Sequence, residues 1–432
     1  MAQHPRTDWE KVTSDLRRSK TSKADQSDAP PTNLSLDLDS IMPESGQAED
    51  VANVPALKLA EPDVLPDAAL TPEGQPLRDF QSTLTNTPEE RANASNLMQF
   101  WERIPRYNCS DIQGINNSPD AKEMGIVNYS FEDSGEHYTL EMTPAQIRTE
   151  ANGVQQTIFC YPDNTDELVE LALVKLAMNN GDILQPADIS HKPADISHKP
   201  AKGHAALPSY GVHFTINQLM QQLKHWGRGR SYPALMRSLE VLNKCNLSVR
   251  STSKGGINAR GAILPELVSF EQNGFDAHDR NGFWTARFHP IISLGIHAGL
   301  YQQYNVFRVA RVKTHVGHAI IKLLLLNGRN ISEQTPYSLK LSSLQETTGL
   351  LNYKSPYHAR RKFREHIKRI EAEGLLSHVE FVEKKRGKRV IDVEARMFAS
   401  ASLVREMKAS HKRSNIIGER RYVRAAIQKT KV

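Results

Sequence analysis

Three cysteines in 432 residues are too few, and the wrong parity, for a disulfide framework. Cys109, Cys160 and Cys245 stand far apart in the sequence, form no zinc knuckle and point to a reducing compartment. Long apolar runs are missing too. The densest, LLLL at 323–326, is bounded by Lys322 and Asn327, well short of the roughly 20 residues that cross a bilayer. No membrane partner is expected. The opening residues MAQHPRTDWEKVTSDLRRSK hold no apolar stretch of the kind that makes a secretory leader. There is no G-x-x-x-x-G-K-[ST] run, which argues against a P-loop nucleotidase. No His-apolar-His pair, nucleophile constellation or metal-ligand cluster is visible, so neither an enzyme, a metal nor a cofactor is expected. Apolar residues make up 39%, low for one compact body, and part of the chain is expected to lie outside any core.

What is present is charge, unevenly placed. Between Pro31 and Pro76 there are nine acidic residues and one lysine, in a stretch rich in Pro, Ser and Ala. Such a composition buries too little apolar surface to offset ordering entropy, and residues 1–85 are read as a disordered acidic tail. Residues 351–432 hold 22 Lys and Arg against nine Asp and Glu. A local excess of that size points to a polyanion as partner.

Between these ends the patterning is that of folded material. TPEERANASNLMQFWERI (87–104) opens on Thr87, Pro88 and two glutamates, a helix-start signature, and is expected to be helical. IVNYSFEDSGEHYTLEM (126–142) alternates about Asp-Ser-Gly and reads as a β-hairpin. Leu168, Leu171, Val174 and Leu176 make 163–180 an amphipathic helix stopped by Gly181. ADISHKP then occurs twice in succession within 185–201, a polar, Pro-punctuated surface loop whose histidines match no ligand spacing.

The chain also repeats itself. ALVKLAMNNG (172–181) and AIIKLLLLNG (319–328) match in outline at a shift of 147, and the residues that follow each match at a shift of 128. Thr215-x-x-Gln218 aligns with Ser343-x-x-Glu346, both read as capping boxes. Leu235, Leu239 and Leu242 align with Phe363, Ile367 and Ile370, the buried stripe of a helix. A strand-like hairpin with a basic tip follows each copy, at 247–271 and at 377–397. Helix, helix-turn-helix and wing is the winged-helix pattern. The expected fold is therefore α+β, two tandem winged-helix domains behind a long tail. The expected divisions are 1–85 tail, 86–162 helix and hairpin, 163–300 first domain, 301–400 second domain and 401–432 basic tail.

In such a fold the second helix of each helix-turn-helix enters the major groove. With Phe363, Ile367 and Ile370 inward, the outward face collects Tyr357, His358, Arg361, Arg364, Glu365, Lys368 and Arg369. Arg361 and Arg364 are candidates for guanine, and Lys354, Arg360, Lys368, Lys384, Lys385, Arg386 and Lys388 for phosphate. In the first copy the equivalent outward positions are Arg230, Arg237, Glu240 and Lys244, with Arg228 and Arg230 in a glycine turn. The set is sparser, and weaker DNA binding or protein contacts are expected there. The plain alternative in both places is a solvated basic helix face.

The arrangement over about 125–397 resembles the plasmid replication initiators built from two winged-helix domains, such as the IncQ RepC and TrfA-like proteins. That resemblance implies binding to double-stranded DNA at direct repeats (iterons) of a replication origin, opening of the origin and recruitment of the host helicase or initiator proteins. It implies a bacterial cytoplasmic, nucleoid- or plasmid-associated location. NLSLDL in the tail (Asn33, Leu34, Leu36, Leu38) looks like the bacterial sliding-clamp motif, with Asn33 in place of its Gln. A chance leucine pair is the plainer reading of it. The rival function is a winged-helix transcriptional repressor, which usually carries one DNA-reading domain where this chain has two.

Overall fold

The computed structural model describes residues 59–60, 75–109, 125–133, 135–151, 154–179, 209–253, 257–270 and 282–430. Its elements run in chain order as β1 (Leu59–Ala60), α1 (Gln75–Gln81), β2 (Thr83–Leu84), α2 (Pro88–Asn93) and β3 (Ala94–Met98). After a 3-10 turn at Trp101–Arg103 come β4 (Val127–Asp133), β5 (Glu136–Thr143), β6 (Ala145–Ala151) and β7 (Val154–Cys160). The first helix-turn-helix unit is α3 (Asn164–Asn179), β8 (Gly211–Thr215), α4 (Ile216–His225), α5 (Tyr232–Lys244), β9 (Asn246–Ser251) and β10 (Asn258–Ala262). It continues through β11 (Leu267–Phe270), β12 (Phe283–Arg287), α6 (Pro290–Ala298), β13 (Tyr301–Asn305) and α7 (Val306–Arg311). The second unit is α8 (His315–Asn327), β14 (Tyr337–Lys340), α9 (Leu341–Thr348), α10 (Pro356–Ala372), β15 (Leu376–Arg386) and β16 (Arg389–Ala399), followed by α11 (Ala401–Thr430). The fold is two winged-helix units in tandem.

The second unit follows the pattern closely. β14, β16 and β15 form one antiparallel sheet in that order. Phe363, Ile367 and Ile370 of α10 are fully buried, in the same core as Leu344, Val393, Ala395 and Met397. Their partners in the first unit, Leu235, Leu239 and Leu242, are buried as well, so the 128-residue register holds for the third helices. It fails for the second helices. α9 starts after Lys340, which makes no side-chain cap, while α4 is capped by Thr215 with the full Thr215–Gln218 box. Ser343 therefore lies inside α9. Buried Leu344 answers Leu219, a shift of 125, and the three-residue difference falls in the turn.

Sheet pairing in the first unit departs from expectation. The hairpin ends at β10, because β11 pairs with β12 and β12 with β8. The wing strand β9 instead pairs on its other side with β5, giving a sheet ordered β10-β9-β5-β4. The 126–142 hairpin is present as β4 and β5, turned at Gly135 with φ of 81°, a value only glycine adopts without strain.

Three further spans differ from their sequence reading. The helix opened by Thr87 stops at Asn93, and β3 follows, paired with β13 some 200 residues later in the chain. Long-range strand pairing overrides local helix propensity there. Residues 75–84, inside the span read as tail, are folded: Leu77, Phe80 and Leu84 are core residues. Residues 401–430, read as a basic tail, form α11, which runs back over β13 and β2 with Leu403, Met407 and Ile417 buried. Arg413 of α11 donates to the Asp79 carbonyl at 2.7 Å and to Asn96 Oδ1 at 2.8 Å.

A buried ionic cluster joins the units. Lys322 on α8 is paired with Glu102 and with Glu167 of α3. His318 lies 2.9 Å from Glu167. Glu170 accepts from Arg106 at 2.6 Å, Tyr107 at 2.6 Å and Trp101 at 2.7 Å. Carbonyls at the end of α9, orphaned by helix geometry, are taken up by residues that precede the first unit: Tyr129 donates to Glu346 at 2.6 Å and Asn108 to Thr348 at 2.8 Å.

Candidate nucleic-acid interface

α10 is set at its angle by the turn before it. Leu351 takes a left-handed φ of 60°, unusual for a side chain with a Cβ, and its carbonyl accepts from Gln345 at 2.8 Å. Ser355 then caps α10 through the His358 N–H, and Pro356 fills the first turn. With the Phe363 stripe buried, the opposite face is left to water. Tyr357 is 69% exposed, and Arg361, Lys368 and Arg369 are exposed too. His358, Arg360 and Arg364 are half-buried. Lys354 is exposed just ahead of the helix.

Beside this face stands the wing. β15 and β16 turn at Gly387, φ 61°, and carry exposed Lys384, Lys385, Arg386 and Lys388 at the tip. A register irregularity between Lys384 and Lys385 bends the strand there. The structure thus brings the helix set and the wing set together on one side of the second unit.

Not all these cations are equally available. Arg369 is held by Glu365 at 2.5 Å, and Lys362 by the same carboxylate at 3.0 Å. Arg364 reaches across to Glu383 of β15 at 2.6 Å and lies over the Phe381 ring at 5.7 Å. Lys385 meets the other Glu383 oxygen at 3.3 Å. Lys354, Arg360, Arg361, Lys368, Lys384, Arg386 and Lys388 have no carboxylate partner among the described residues.

Sequence reasoning missed two members of this surface. Tyr353, 45% exposed, stacks edge-on against His358 with centroids 4.7 Å apart. Glu383 shares its strand parity with the half-buried Val379 and Phe381, a period-2 signal that places it on the side facing α10.

The first unit's set is engaged differently. Lys244 pairs with Glu240 one turn back. Arg230 donates to Thr165 at 3.3 Å. Arg228 is partly buried, and desolvation, with Arg230 adding to it, lowers its pKa. Arg237 lies beside Cys160 and Asp166, and β6 packs along α5. Among the described residues, α5 thus carries a sparser cationic set than α10. The clamp-like peptide at Asn33–Leu38 and the ADISHKP repeat lie outside the described residues. No helix among the described residues is long and apolar enough to cross a membrane.

No protein-family model matches the chain, and no curated protein matches its sequence. Solved structures with a related backbone path include domains 2 and 3 of RctB as a selenomethionine derivative, with TM-score 0.38, 11% identity, and 69% of this chain and 99% of that one covered. A second structure of RctB domains 2–3 gives TM-score 0.36 and 11% identity over 68% of this chain and 97% of that one. The Pi initiator protein in complex with iteron DNA gives TM-score 0.32 and 11% identity over 44% and 82%. Overlaps this loose transfer no function.

Proposed function

We propose that this chain is a sequence-specific double-stranded-DNA-binding replication initiator with no catalytic chemistry of its own. One observation carries the reading: an exposed, N-capped third helix and a lysine-rich wing converge on one side of a winged helix. α10 has the length and exposure to enter the major groove, with Tyr357, His358, Arg361 and Arg364 in its first half, nearest the base edges. Arginine reads the guanine edge with paired donors, while the wing lysines neutralise phosphate and set register. The second unit supplies most of the base reading. The first adds a further DNA segment or docks a protein.

Two such units in one chain suit a long asymmetric site, of the kind provided by direct repeats of about two helical turns. On this reading the protein binds plasmid origin repeats in the bacterial cytoplasm, promotes opening and recruits host helicase or initiator proteins, with the tail as a candidate clamp contact.

Selection from a random duplex library yields the preferred site. A plasmid carrying that site in the DNA flanking the gene should then replicate only when the protein is supplied. Selection of a site that represses a promoter but supports no replication would favour the repressor reading. Failure to enrich any sequence would sink both.

A further inference from the structure

A phosphate-binding surface gains nothing from a carboxylate at its centre, yet Glu383 stands between the recognition helix and the wing. One oxygen accepts from Arg364 Nη2 at 2.6 Å, and the other lies 3.3 Å from Lys385 Nζ. The hydrogen bond from Arg364, then that from Lys385, holds its carboxyl below the usual range, so it stays ionised. Its charge offsets one of the two cations it touches and opposes any phosphate approaching that part of the face.

The same contact fixes Arg364. Its guanidinium is braced by Glu383 at one nitrogen and lies over the Phe381 ring 5.7 Å away. A free arginine gives up several rotamers on reaching a base, whereas a braced one has already lost them. Nη1 and the second hydrogen of Nη2 remain for an acceptor pair. Guanine O6 and N7 are such a pair, and a phosphate oxygen approaching there must also meet the Glu383 charge. Glu365 does nothing comparable, because both its partners, Lys362 and Arg369, belong to its own helix.

We propose that Glu383 is a specificity-determining positioning residue. It orients Arg364 across the gap between helix and wing, and it weakens binding to DNA that lacks the matching base edge. This rests on the DNA-binding reading above and adds to it a residue that favours discrimination over affinity.

The test uses the full chain, the duplex enriched from the random library and a scrambled duplex of equal length. Glu383→Gln keeps an acceptor for Arg364 and removes the charge. Affinity for the scrambled duplex should rise about 3- to 10-fold, and the slope of log K against log salt should steepen by about one unit, as one more phosphate is neutralised. Affinity for the enriched duplex should change less than 2-fold or so, and the ratio between the two should fall. In an Arg364→Ala background the same substitution should leave the ratio unchanged. Parallel shifts on both duplexes in the wild-type background, or an equal fall of the ratio without Arg364, would overturn the proposal. Failure of the wild-type chain to enrich any duplex would instead remove the DNA-binding reading itself. Unchanged melting temperatures of both variants show that folding is not the cause.

Discussion

Lys175 and Lys322 occupy the same position in the two copies of the repeated helix, and the fold satisfies them by opposite means. Lys175 on α3 donates to two carbonyls, Ala94 at 2.6 Å and Arg91 at 3.2 Å, with no carboxylate paired to it among the described residues. Lys322 on α8 is enclosed by Glu102 and Glu167. The aligned position holds a lysine in both helices, and each is buried in a different way.

Burial, reinforced by Arg91, pulls the Lys175 ammonium down to about 7. Between that value and the ordinary 10.5 the unfolded chain binds a proton that the folded chain lacks, so stability rises with pH across this window. Relative to Lys175→Met, the wild type should gain up to about 1.4 kcal/mol per pH unit between about pH 7 and pH 10. Urea titrations of both at several pH values check this, and parallel pH profiles would refute it.

For Lys322, burial works to lower the pKa, but Glu102 and Glu167 outweigh it and raise it. Burial works to raise the Glu167 carboxyl, but Lys322 and His318 hold it well below its usual range. The Glu167 contribution is thus present above about pH 4 and lost as acid protonates the group. Lys322→Met strands two buried carboxylates and should cost about 3–5 kcal/mol at pH 7. The loss should shrink in acid, where those carboxylates can take up protons. Denaturant midpoints at pH 7 and pH 4 measure both.

Arg361 is exposed and without a carboxylate partner, so its loss should be felt only in binding. Arg361→Ala should cost about 1–3 kcal/mol on the enriched duplex and less on a scrambled one, with melting temperature unchanged. Equal losses on both duplexes would make it a phosphate contact.

Because residues 75–84 belong to the core, truncation of the acidic region should stop short of β1. Removing residues 1–58 should leave duplex affinity equal or slightly higher, most visibly at low salt where screening is weakest. Leu36→Ala with Leu38→Ala should impair replication in cells and spare DNA binding. Normal replication of that double variant would dismiss NLSLDL as a contact.

Arg413 is 1% exposed, and its guanidinium reaches Asn96 Oδ1 and the carbonyls of Asp79 and Phe80. Arg413→Ala removes the donor to Asn96 Oδ1, while the Asp79 and Phe80 carbonyls keep those from Ser82 Oγ and Asn96 Nδ2, and should cost about 1–3 kcal/mol. Limited proteolysis should then cut first within 75–84.

The second unit was almost fully legible in the sequence, since its elements are contiguous and its stripe Phe363, Ile367, Ile370 has a plain helical period. So was the cation set, because exposed charge on one helix face follows from that period. What escaped was set by distant partners. β3 exists because β13 pairs with it, and the Thr87 signature gives no hint of that. β11 pairs with β12, and β12 with β8, so the first wing ends at β10, short of the 247–271 span. Ser343 had the capping pattern, but β14 runs on to Lys340 and leads directly into α9. The pairing of Arg364 with Glu383 links residues 19 apart on different elements, invisible to any single periodicity.

α11 also says something about how this molecule is made. Arg413 completes hydrogen bonds to Asp79 across 334 positions of sequence. During synthesis, α1 emerges early and waits for that partner through the translation of both helix-turn-helix units. α1 and β3 are therefore not fully packed when their own residues are finished, and a fragment ending before α11 would lack the guanidinium that bridges Asn96 Oδ1 and the carbonyls of Asp79 and Phe80. The segment ahead of both units is made first, but it is sealed by what is made last.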